Sequence, residues 1–95
     1  MSGSYIFTRE AEEDLLAIWR YTADDRLIAR IYAACEKLSK MPGIGHWRED
    51  LLDKRHRFWH TRPFLIVYRW QVKPIEIIAI VYGARDLQAF FGDRE

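Results

Sequence analysis

The chain contains little of what marks secreted, membrane-spanning or disulfide-stabilised proteins. Its 95 residues include a single cysteine, Cys35, so an internal disulfide is excluded and nothing indicates an oxidising compartment. Its unbroken apolar runs, such as residues 64–68, are far shorter than the roughly 20 residues that a membrane-spanning helix needs. The first residues lack a basic region followed by an apolar stretch, so no signal peptide is predicted. We therefore expect a cytoplasmic protein without a membrane partner.

Neither sign of charge predominates in the chain. It has fifteen Lys and Arg residues and fourteen Asp and Glu residues, and the net charge of +1 gives no general reason to expect an anionic partner. Hydrophobic residues make up 49% of the chain, which is enough for one core, so we expect a single domain over residues 1–95. His56 and His60 are about 13 Å apart on an extended strand and cannot share a metal ion. No metal site and no cofactor is predicted.

The spacing of apolar residues divides the chain into six elements. Residues 5–7 are a β-prone run that ends at Thr8, a candidate N-cap for a helix with apolar positions at 11–22. Asp24 can cap a second helix, which Met41-Pro42-Gly43 ends. Three predicted strands follow at residues 56–61, 64–72 and 75–82, with turns at Arg62-Pro63 and Lys73-Pro74. The order predicts an α+β domain: an N-terminal strand, an antiparallel helical hairpin, and a three-stranded antiparallel meander.

The two central strands are apolar on both faces, although two helices can cover only one face of a sheet. Cys35 and Trp19 lie on the helical stripes and are expected in the core. Only the C-terminal residues, including Leu87, Phe90 and Phe91, remain to cover the second face. Either they close it, or part of it stays exposed as a protein-binding surface, which is the interpretation that we favour.

Residues 54–62 are basic with interleaved aromatic side chains. This composition is typical of a solvated edge strand, of a protein contact, or of a nucleic-acid surface on which rings stack between phosphate contacts. Alternation places Arg57 and Trp59 on one face and Phe58 on the other, so at least one ring is expected in the core. Direct nucleic-acid contact is therefore the less favoured interpretation.

Two further features suit contacts with another protein. Arg85 and Asp86 follow Gly83 directly after the last predicted strand, where they either clamp the tail internally or contact a target. Trp47 lies in the predicted loop, and an exposed tryptophan is common at interfaces.

Four segments, in this order and spacing, resemble the ParE-type toxins of the RelE/ParE superfamily, which include plasmid stabilisation proteins. They are residues 5–22, 41–45, 57–69 and 77–87; the last contains Tyr82 where many members carry histidine. The resemblance covers nearly the whole chain. It implies a helical hairpin against an antiparallel sheet and the toxin component of a type II toxin–antitoxin system.

The resemblance also separates two activities. RelE-like members are implied to cut messenger RNA in the ribosome with basic residues on the central strands and a C-terminal tyrosine. The matching positions here hold His56, Phe58, Leu65 and Phe91, and only the arginine after the glycine, Arg85, is kept. Phenylalanine and leucine can neither transfer a proton nor stabilise a charged transition state. We therefore expect the ParE branch, which is implied to inhibit DNA gyrase by binding, with no catalytic residues.

The implied partners are DNA gyrase and a ParD-like antitoxin, a ribbon-helix-helix protein with a flexible tail. The candidate target-binding residues are Arg57, Trp59, Arg62, Arg85 and Asp86. The candidate antitoxin-binding residues are Trp47, Leu87, Phe90 and Phe91. Two alternatives stay open: a ribosome-dependent endoribonuclease with His56 or His60 as general base, and a non-toxic interaction module of the same fold.

Overall fold

Four strands form one sheet in which the first strand lies beside the last. The computed structural model describes residues 4–47 and 54–83. The elements are β1 (Tyr5–Phe7), α1 (Arg9–Thr22), α2 (Asp25–Lys40), a short 3-10 helix (Pro42–Ile44), β2 (His56–Thr61), β3 (Phe64–Arg69) and β4 (Ile75–Tyr82). The strand order is β1-β4-β3-β2, with β1 parallel to β4 and the other pairs antiparallel. The predicted α+β arrangement, an N-terminal strand, two helices and a three-stranded meander, is confirmed.

Local signals in the sequence set the limits of both helices. The Thr8 hydroxyl accepts a hydrogen bond from the Ala11 N–H (3.2 Å) at the start of α1. The Asp24 carboxylate accepts one from the Arg26 N–H (2.9 Å) at the start of α2. Between them Ala23 adopts a left-handed conformation with φ of 47°. The two helices are thus joined by only two residues.

The strand predicted at residues 64–72 is shorter than expected. β3 ends at Arg69 rather than at residue 72, because Trp70 leaves the ladder. Its indole N–H donates instead to the Lys54 carbonyl (3.1 Å), next to the start of β2.

The helices cover one face of the sheet and form the larger core. Ala11 and Ile18 of α1 and Ile31, Cys35 and Leu38 of α2 are buried there. The strands contribute Phe64, Ile66, Tyr68, Ile75, Ile77 and Ile80. Neither helix among the described residues is both long and apolar enough to span a bilayer.

The second face of the sheet is buried as well. Its six core residues are Phe58, Leu65, Val67, Ile78, Ala79 and Val81, each at most 6% exposed. The expectation that part of this face stays open is therefore wrong for these residues. Leu87, Phe90 and Phe91, which we expected to cover the face, lie outside the described residues.

The exposed apolar area lies instead on the helical hairpin. Trp19, expected in the core, is 40% exposed, and Leu16 and Tyr32 are similarly accessible. Adjacent apolar residues of α1, such as Ile18 and Trp19, point about 100° apart on the helix. They therefore cannot all face the sheet. Ile18 reaches the sheet, and Trp19 turns away from it.

Candidate functional site

An arginine held between two tryptophans joins the loop before β2 to the sheet. The Arg57 guanidinium carbon lies 4.7 Å from the ring centroid of Trp47 and 4.1 Å from that of Trp70. Its Nη1 donates to the Gly45 carbonyl (2.8 Å). Two cation–π contacts and one charge-assisted hydrogen bond hold the guanidinium against the loop and the sheet. Of the sequence candidates, Arg57 and Trp47 are thus brought together, and they contact each other.

Hydrogen bonds to the buried Tyr68 also hold the loop before β2 in place. The Tyr68 hydroxyl donates to the Pro42 carbonyl (2.6 Å) and accepts from the Gly45 N–H (3.0 Å). Burial raises the pKa of Tyr68 above 10.0, and the Gly45 hydrogen bond and the Arg57 charge oppose that rise. The loop backbone also pairs with β2, since the His46 N–H donates to the Phe58 carbonyl (2.7 Å). Trp47 is consequently presented from a fixed position.

The other described candidates for target binding, Trp59 and Arg62, lie in the second half of β2 and in the turn after it. Trp59 packs partly against the main core, with Lys37 Nζ 5.1 Å above its ring and the His46 ring stacked on it at 6.0 Å. Arg62 lies in the exposed turn after β2, and its carbonyl accepts a hydrogen bond from Arg30 Nη2 (2.8 Å). The Arg62 guanidinium is therefore the most accessible cation of the described target candidates.

The near-neutral composition conceals a separation of charge. Residues 54–83 include six Lys and Arg side chains and a single carboxylate, Glu76, which pairs with Arg69 at 3.2 Å. Residues 4–47 contain seven carboxylates and six Lys and Arg side chains and are nearly neutral. The meander is consequently the basic part of the described chain.

The three positions of the ribonuclease pattern that fall within residues 54–83 are inaccessible. His56 is 0% exposed, and Phe58 and Leu65 are each 1% exposed. All three are therefore shielded from contact with RNA in this structure. His60 is exposed, with its ring centroid 6.4 Å from that of His46.

The described residues offer neither an accessible thiol nor a metal site. Cys35 is fully buried, and burial raises the pKa of its thiol from 9.0 to about 12, so it packs as a small apolar group and stays protonated. The described residues form no cluster of three His, Cys, Asp or Glu side chains suited to a metal ion.

A groove on the helical hairpin is the feature that sequence reasoning missed. It has a volume of about 600 Å³ and an apolar floor to which α1 contributes Leu15, Leu16 and Trp19 and α2 contributes Ile28 and Tyr32. Carboxylates of Glu12, Glu13 and Asp25 line its rim. The signal for it was present, because consecutive apolar pairs in α1 cannot all face the sheet.

The remaining candidates, Arg85, Asp86, Leu87, Phe90 and Phe91, lie outside the described residues.

Comparison with known proteins adds one positive finding. Residues 5–87 match the family model of the ParE toxin of the type II toxin–antitoxin system, parDE. None of the curated proteins matches the chain. The family match includes both helices and all four strands.

Proposed function

This chain belongs to the family of ParE toxins of type II toxin–antitoxin systems, and we propose that it inhibits DNA gyrase by binding it rather than by catalysing a reaction. The family implies an antitoxin as its second partner. We further propose that this antitoxin is ParD-like, with a ribbon-helix-helix dimer and a flexible tail that becomes ordered on the toxin. The ordering entropy of such a tail is offset by the apolar area that it buries.

The observation that carries the proposal is the burial of Phe58 and Leu65. Ribonuclease chemistry on a ribose 2′-hydroxyl needs a group that accepts its proton and cations that stabilise the charged phosphorus. Phe58 and Leu65 supply neither and are packed inside the second core. His56, two residues before Phe58, is equally buried. This supports a mode of action that depends on contact.

Exposed aromatic side chains support the same proposal. Trp19 and Tyr32 border the groove on the helical hairpin, and Trp47 is held in place by Arg57. Aromatic residues and arginine are enriched among the residues that dominate binding energy at protein interfaces. The described surface thus offers exposed aromatic side chains and, elsewhere, an exposed Arg62.

A supercoiling assay with purified gyrase tests the proposal directly. We expect this chain to inhibit supercoiling and to trap cleaved DNA in proportion to its concentration, and the cognate antitoxin to reverse both effects. Arg85→Ala should weaken the inhibition without changing antitoxin affinity, since Arg85 is the arginine shared with the family pattern. Full inhibition by the Arg85→Ala variant would reject that role for Arg85.

The ribonuclease alternative gives a different signature. Primer extension on messenger RNA after induction of the chain should show intact transcripts if gyrase is the target. Cuts positioned by codon, in cells whose gyrase remains active, would overturn the proposal. Unimpaired growth after expression without antitoxin would instead indicate a non-toxic interaction module.

A further inference from the structure

Four exposed cations form a strip along α2 and the turn after β2. Arg26, Arg30 and Lys37 follow one another at intervals of four and seven residues, so they lie on one face of the helix. Arg30 Nη2 donates to the Arg62 carbonyl (2.8 Å), which places Arg62 beside this face. All four residues are exposed. We call these four residues the basic strip.

The basic strip runs beside the edge of the sheet. β2 is the outermost strand, and Lys37 Nζ lies 5.1 Å from the ring centroid of Trp59 in that strand. From Arg26 to Lys37 the helix rises about 16 Å. One strand of duplex DNA presents about five phosphates over this length. The strip is therefore long enough to contact several phosphates at once.

Among the described carboxylates, none forms a salt bridge with the basic strip. Glu36, next to Lys37 in sequence, pairs with Lys40 (3.9 Å) instead. At the start of α2, Asp24 caps the helix and Asp25 lines the groove on the helical hairpin. The positive charge of the strip thus remains available to a partner.

The apolar surface of α2 lies away from the basic strip. Tyr32, which borders the groove on the helical hairpin, is two residues from Arg30 and points about 160° away from it on the helix. Trp59 is half-buried, with Lys37 above its ring and the His46 ring stacked on it. Protein interfaces have an apolar centre, whereas DNA-binding surfaces are polar and strongly positive. The strip therefore suits a phosphate backbone better than it suits a protein.

We propose that the basic strip binds the phosphate backbone of duplex DNA. Arg26, Arg30 and Lys37 contact phosphates along one strand, and Arg62 contacts the backbone beside them. Contacts of this kind position a protein on DNA and read no sequence. Residues 54–62 alone did not favour nucleic-acid contact, but the folded chain adds three cations of α2 to Arg62. The inference rests on the proposed action on gyrase for the source of the DNA, whereas the contact itself can be tested without gyrase.

Fluorescence anisotropy of a labelled DNA duplex of arbitrary sequence tests the contact. With four phosphate contacts, the affinity of the unmodified chain should fall about a hundredfold between about 50 and 200 mM salt. The fall should be about fortyfold for Arg26→Gln and about tenfold for Arg26→Gln combined with Lys37→Gln. Arg20→Gln is the matched control, because it removes an exposed cation of α1 outside the strip and should keep the hundredfold fall. Arg26→Gln leaves the fold intact, since the helix dipole disfavours a cation in the first turn of α2.

Absence of binding at about 50 mM salt, or an equal salt dependence of Arg26→Gln and Arg20→Gln, would overturn the proposal. Polyglutamate and a single-stranded RNA of the same charge as the duplex test the other possible partners. Tighter binding of either one than of the duplex would identify an acidic protein or RNA as the partner and would also overturn the proposal. Each of these results would leave the binding of gyrase intact. A chain that binds DNA as expected but does not inhibit gyrase would support the DNA contact and reject the proposed target.

Discussion

At the scale of single residues, Gly45 shows how closely the loop before β2 approaches the sheet. A Cβ added at this position would collide with the Tyr68 hydroxyl and lie 2.9 Å from Tyr68 Cε1 and 3.0 Å from Arg57 Cβ. Tyr68 and Arg57 are both held by hydrogen bonds to this loop, so neither can move away without losing a bond. The absence of a side chain is thus a packing requirement at Gly45.

We expect Gly45→Ala to lower the free energy of unfolding by about 1–3 kcal/mol, the usual cost of overpacking a fixed site. Urea denaturation followed by tryptophan fluorescence would measure it. Gly43→Ala is the control, because nothing lies within 4 Å of the Cβ that it adds. Equal stabilities of the two variants would mean that the loop is free to move away from Tyr68.

The cluster around Arg57 could not be predicted from the sequence. Trp47, Arg57 and Trp70 come from a loop, a strand and the residue after another strand, and no local period links them. The sequence did predict that Arg57 and Trp59 share a face, because strand alternation is a local property. It could not predict that Arg57 contacts the protein's own tryptophans, since that depends on how the loop folds back.

At the scale of elements, the helical hairpin contains one unfavourable backbone conformation. Ala23 joins the helices with φ of 47°, and its N–H donates to the Trp19 carbonyl (2.7 Å). This is the left-handed helix end that glycine usually occupies, and alanine there costs about 1–2 kcal/mol.

Ala23→Gly should therefore raise the free energy of unfolding by about 0.5–1 kcal/mol, after the greater freedom of glycine in the unfolded chain is subtracted. Ala17→Gly, at an exposed position inside α1, should lower it by about 1 kcal/mol. Thermal unfolding of the two variants should give midpoint shifts of opposite sign. A drop in both midpoints would contradict the proposed strain at Ala23.

Elements with local signals were predicted well, and relations between elements were not. Thr8 and Asp24 cap the helices as their residue types indicated, and the meander strands lie where the alternation placed them, except that β3 ends at Arg69 instead of residue 72. The parallel pairing of β1 with β4 joins segments about 70 residues apart, for which a single sequence holds no periodic signal. The exposure of Trp19 was missed for a related reason, since the width of a stripe does not show which part of it meets the sheet.

At the scale of the whole molecule, burial of groups that ionise only in alkali makes stability depend on pH. Burial raises the pKa of Cys35 from 9.0 to about 12 and raises the pKa values of Tyr5 and Tyr68 above 10.0. The folded chain retains these protons where the unfolded chain has lost them. Stability from these groups is complete below about pH 9 and is lost as pH rises toward the folded pKa values.

The free energy of unfolding should then fall by up to about 1.4 kcal/mol per pH unit through the Cys35 thiol between pH 9.0 and about 12. Tyr5 and Tyr68 should add to this decline above pH 10.0. Urea titrations from neutral pH to about pH 11 would measure the decline. Cys35→Ala should remove the decline that begins near 9.0 and leave the tyrosine contribution above 10.0. A free energy of unfolding that stays constant to about pH 11 would show that these groups have the same pKa in the folded and the unfolded chain.

The place of β1 has a consequence for how the toxin is made. During translation the N-terminal segment leaves the ribosome first, yet its strand partner, Ile75 to Ile77, comes about 70 residues later. Residues 5–7 must wait for that partner, and closing so large a loop is slow compared with forming a helix. The sheet therefore cannot be completed until Ile75 to Ile77 have left the ribosome, whereas the helical hairpin between the two strands can form earlier.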